Sequence, residues 1–100
     1  MQVLNISFQI TPALQLQWIE WMKNKFIPIV EATGCFEQHK FYELAVEADQ
    51  APTYTLQLFT ETPEMLAKFQ AELSPSILEE LNNTWADQCF HFITTMKIVN

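Results

Sequence analysis

The stretch Gln17-Trp18-Ile19-Glu20-Trp21-Met22-Lys23-Asn24-Lys25-Phe26-Ile27-Pro28, running on to Gly34, constrains the fold more than any other part of the chain. It sets two tryptophans, a methionine and a phenylalanine on one amphipathic helix. Leu14, Trp18, Trp21, Met22 and Ile29 are expected on the buried face, with Ile19 and Phe26 flanking it. Pro28 cannot donate to the carbonyl of Asn24, so a kink or restart is expected there. Gly34, the only glycine in the chain, supplies the left-handed stop.

On either side of this helix the hydropathy switches to a period of two, which marks strands with one covered face. Leu4, Ile6, Phe8 and Ile10 form one phase of a first strand over 3–10; Val3, Asn5, Ser7 and Gln9 form the other. A second strand is expected over 36–46, a turn over 47–52 and a third strand over 53–60, with Tyr54, Leu56 and Leu58 in one phase. Thr11-Pro12, Thr62-Pro63 and Ser74-Pro75 each read as an N-cap followed by a helix-starting proline. A second helical pair then carries Met65, Leu66, Phe69 and Leu73, followed by Ile77, Leu78, Leu81 and Trp85, with a bend near Ser74. A fourth strand over 89–99 has apolar residues in both phases, so partial cover of both faces is expected. The order β-α-β-β-α-β predicts an α+β, ferredoxin-like single domain over residues 1–100. Its four-stranded antiparallel sheet has spatial order four, one, three, two and carries the helices on one face.

Composition narrows the function classes. The net charge is −7, from 12 acids against five lysines and no arginine. A nucleic-acid binder needs a basic face, and so does a protein held on an anionic membrane. Neither partner is expected. No apolar run reaches the roughly 20 residues that span a bilayer, and no signal-like leader is visible. A cytoplasmic location is expected, with both cysteines reduced.

Trp18-Ile-Glu-Trp21-Met22, then Ile27-Pro28, then Ala32-Thr33-Gly34-Cys-Phe36, resembles an uncharacterised family of short bacterial proteins. Tyr54-Thr-Leu-Gln57 and the last strand around Phe92 fit the same pattern. The resemblance implies the dimeric α/β-barrel type of the ferredoxin-like fold. Its distant fold relatives include cofactor-free antibiotic-biosynthesis monooxygenases and haem-degrading enzymes. It implies no assigned activity. Two positions depart from the family pattern: Phe26 stands where a His is usual before Ile-Pro, and Ile93 where an Arg is usual in the last strand.

No constellation of catalytic type stands out. Cys35 with His39 and Cys89 with His91 suggest zinc by residue type. They fall on opposite sheet edges, three spacings of about 4.8 Å apart, so one protomer cannot close such a site. The same separation argues against a Cys35–Cys89 bridge. The second helix has no His with which to hold haem iron. No cofactor and no metal are expected, and no catalytic residue is named.

Two groups remain as candidate sites. Asn5, Ser7, Thr55 and Gln57 should form a polar stripe down the open face of the two central strands. Trp18, Trp21, Phe26, Tyr54, Phe69 and Trp85 either fill the space between helices and sheet or line a cavity for a small apolar or aromatic ligand. The expected function is a non-enzymatic or weakly ligand-binding homodimeric module joined through the open sheet face. Val3, Phe59, Ile93 and Val99 are expected to be exposed there. The alternative is a cofactor-independent monooxygenase or isomerase acting on a small aromatic compound in the helix–sheet cavity.

Overall fold

A computed structural model describes residues 1–99. Four antiparallel strands, β1 (Gln2–Ile10), β2 (Gln38–Glu43), β3 (Thr53–Thr60) and β4 (Cys89–Lys97), lie in the spatial order β2-β3-β1-β4. This is the ferredoxin-like arrangement expected from the sequence. The first crossover is built from a 3-10 turn at Pro12–Leu14, α1 (Gln15–Trp21), a π turn at Met22–Phe26 and α2 (Ile27–Ala32). The second has α3 (Pro63–Lys68), a π turn at Phe69–Leu73, α4 (Ser74–Trp85) and a 3-10 turn at Ala86–Gln88.

The two wide turns have one cause. Each is closed by the residue that follows it, which stands immediately before a proline and whose backbone N–H reaches the carbonyl five residues back: Ile27 to Met22 and Ser74 to Phe69. A proline inside an α-helix clashes with the carbonyl four residues before it. One extra residue in the turn moves that carbonyl aside, and the helix carries on. Both pre-proline residues keep right-handed helical angles, so Ser74 does not leave the α region as its place before a proline leads one to expect. Ser74 is buried inside the continuing helix and makes no capping hydrogen bond.

The first wide turn also corrects the expected buried face. Buried residues recur every fourth position, Trp18, Met22, Phe26 and Val30, with Ile27 beside them. In a regular α-helix such a row drifts by about 40° per step; the wide turn holds it against the sheet. Ile29, expected inside, is 39% exposed. Gly34 does take the left-handed conformation, at φ 71°. Thr62 does cap α3, its hydroxyl accepting from the Met65 N–H at 3.2 Å. Thr11 does not cap. It donates instead across 77 residues to the Gln88 side-chain oxygen, at 2.7 Å.

The core lies on one side of the sheet. Leu4, Ile6, Phe8, Ile10, Tyr54, Leu56, Leu58 and Cys89 meet residues of both helical arms there. On the other side Val3 stands opposite Phe59 in β3 and Met96 in β4. Val3 is 4% and Phe59 9% exposed. The expectation that both lie bare is corrected: the small Val3 sits between two larger neighbours, and the Lys40 ammonium lies 5.8 Å over the Phe59 ring. Ile93 pairs with Ile6 and belongs to the helix side. Val99 lies beyond the end of β4. Neither is on the open face as expected. The expected cover of both faces of β4 is missing too, since Cys89 is its one buried residue.

Candidate functional site

The aromatic residues named from the sequence come together as packed rings. Trp85 meets Trp21 at 5.8 Å between centroids, Trp21 meets Phe26 at 5.6 Å, and Phe26 meets Phe8 at 6.1 Å. Phe8 meets Trp18 at 5.3 Å, and Trp18 meets Tyr54 at 5.0 Å. Such tilted and edge-on contacts suit the quadrupoles of the rings. Phe69 stands apart and packs on Phe36 at 4.8 Å. Trp18, Phe26 and Phe69 are fully buried, Tyr54 is 3% exposed, and Trp21 and Trp85 flank the core half-buried.

Three polar features sit inside this layer. Gln15, one turn ahead of Trp18, donates from its side-chain amide to the Tyr54 hydroxyl. Sequence reasoning passed over Gln15, since an uncharged glutamine near a helix start carries no periodic signal. The indole nitrogens of Trp18 and Trp85 are buried without a hydrogen-bond partner among the described residues. Burial pushes the Cys89 thiol up to about 11, and the neighbouring Trp18 side chain offsets only part of that rise. Cys89 is therefore a neutral, packed thiol rather than a nucleophile.

On the open face the four polar residues form two opposed pairs at the sheet centre, Asn5 with Gln57 and Ser7 with Thr55. All four are half-buried, and the Asn5 amide donates to the Ser7 hydroxyl at 3.3 Å. Flanking them on the edge strands are Tyr42 (44% exposed), Phe90 (59%), Phe92 (62%) and Met96 (38%). Lys40 is the one charged side chain that the strand register places on this face.

The histidines lie apart, at opposite sheet edges. His39 faces the helix side opposite Leu58, and His91 lies there opposite Phe8. Cys35 precedes β2 and is buried; its backbone N–H donates to the Thr33 hydroxyl. Among the described residues no three His, Cys, Asp or Glu side chains converge where they could hold a metal ion. No helix among them is long and apolar enough to cross a membrane.

A family model described as a domain of unknown function, DUF4286, matches residues 1–99. The chain belongs to the DUF4286 family. No curated protein matches it. Solved structures that resemble this DUF4286 chain include an ethyl tert-butyl ether D family protein from Bacillus halodurans. That likeness has a TM-score of 0.72 at 11% identity, covering 98% of this chain and 100% of the other. An antibiotic biosynthesis monooxygenase candidate from Deinococcus radiodurans gives 0.65 at 8% identity, over 100% and 94%. A dimeric ferredoxin-like protein of unknown function from Thermobifida fusca gives 0.59 at 12% identity, over 98% and 92%. At these identities the likeness shows the ferredoxin-like fold alone.

Proposed function

We propose that this DUF4286 chain is a non-enzymatic homodimeric module whose protomers pack open sheet face against open sheet face. The observation that carries the reading is the state of β4. Phe90, Phe92 and Met96 are exposed on its open side and Ile93 on the other. An apolar surface of this kind is costly in water unless a partner covers it. The charge pattern favours a second copy as that partner. A chain of net charge −7 repels itself, yet its open face carries a single charge, Lys40. The Thermobifida fusca likeness, described as dimeric, is in keeping with the proposal. The two unpaired, buried cysteines suit a reducing compartment such as the cytoplasm.

The second reading is a cofactor-independent oxygenase or isomerase with a small aromatic substrate in the helix–sheet layer. It draws support from the unpartnered indole N–H groups of Trp18 and Trp85, which a polar guest could satisfy. The tight ring packing around Trp18 favours the first reading. Sedimentation velocity of Phe92→Glu tests the dimer. The dimer reading expects a folded monomer; a variant that sediments like the parent protein contradicts it.

A further inference from the structure

The end of α2, the segment after Gly34 and the start of β2 enclose a cleft of about 460 Å³. That volume lies in the range of about 300–1,000 Å³ typical of small-molecule sites. Buried Val30 and Leu58 and the half-buried Phe36 make it apolar. The Phe36 ring is fixed edge-on against Phe69. Glu31, Glu37, Gln38 and His39 supply its polar lining.

His39 is oriented. Its Nδ1 lies 3.1 Å from Glu31 Oε1. A carboxylate only accepts, so a proton sits on Nδ1, and whenever the ring carries that one proton alone Nε2 is left as an acceptor. The surrounding backbone is tied down. Gly34 N–H donates to the Glu31 carbonyl at 3.1 Å, and Glu37 N–H to the Phe59 carbonyl at 2.9 Å. Two carboxylates, on a chain of net charge −7, turn anions away. Lys40, the next residue of β2, lies on the opposite sheet face over Phe59.

We propose that this cleft binds a small, uncharged, mainly apolar molecule bearing a hydroxyl group. The hydroxyl donates to His39 Nε2, and the apolar body rests on Val30, Phe36 and Leu58. The site lies on the helix side of the sheet, so it does not depend on the open-face dimer.

Phenol is a suitable probe, with benzoate as the anion built on the same ring. In an NMR titration of the full chain, phenol should saturably shift the His39 ring and Leu58 methyl signals, and benzoate should not. His39→Phe should weaken phenol binding about fivefold, the worth of one neutral hydrogen bond. Glu37→Lys, which replaces one of the two carboxylates at the cleft with a cation, should admit benzoate. Equal shifts with benzoate in the parent protein, phenol binding unaltered by His39→Phe, or exclusion of benzoate by Glu37→Lys would each overturn the proposal.

Discussion

The indole rings of Trp21 and Trp85 meet edge to face, 5.8 Å apart with planes at 78°, and so join the two helical arms at the margin of the core. Trp18 occupies its centre, with no exposed surface. Trp18→Ala should therefore cost about 5 kcal/mol and Trp85→Ala about 3 kcal/mol, the two ends of the range for large-to-small core changes. Chemical denaturation of both variants checks the order. Equal losses would place Trp85 in the core interior.

Ala86 follows α4 at φ 50°, ψ −128°, a conformation that side chains with a Cβ adopt at a cost. Gly34 has φ 71°, with open space where a Cβ would go. Ala86→Gly should raise stability by about 1 kcal/mol, and Gly34→Ala should lower it by about 1–2 kcal/mol through backbone strain alone. Thermal melts of the pair should shift in opposite directions. Shifts of the same sign would contradict this account of both turns.

Burial raises the Cys89 thiol from 9.0 to about 11. The folded chain thus keeps this proton more firmly than the unfolded chain does. The resulting stabilisation is complete below pH 9 and is lost as pH rises from 9 to about 11. Denaturation midpoints measured across that window should fall more steeply for the parent protein than for Cys89→Ala. Parallel curves would show that the thiol ionises freely in the fold.

Thr62 and Thr11 look alike in sequence, each standing before a proline, but only Thr62 caps a helix. Thr62→Ala should cost about 1 kcal/mol, as cap removal does elsewhere. Thr11→Ala, which loses an exposed hydrogen bond to Gln88, should cost less. Urea titrations of the two variants decide it; a larger loss at Thr11 would reverse the assignment.

The sheet order followed from the order of elements and the crossover rule, and the inward phase of β1 and β3 from their period of two, because Leu4, Ile6 and Phe8 face Leu58, Leu56 and Tyr54 with no irregularity between them. The first helix was legible up to Met22. Past that point the wide turn adds a residue, and Phe26, Ile27 and Val30 point inward where a regular helix would bring Ile29. A proline announces a disturbance but not whether the chain breaks or widens. Val3 and Phe59 differ from expectation because burial on an open face depends on side chains of the adjacent edge strands, here Met96 on β4 and Lys40 on β2. The Glu31–His39 pair escaped notice since its members belong to different elements joined through the Gly34 stop. The polar stripe of Asn5, Ser7, Thr55 and Gln57 followed from strand phase alone.

The open face carries the central claim, and mass in solution tests it most directly. Light scattering on the parent protein at micromolar concentration should give twice the chain mass of 11.7 kDa. A value of 11.7 kDa would leave Phe90, Phe92 and Met96 bare in solution and contradict the homodimer.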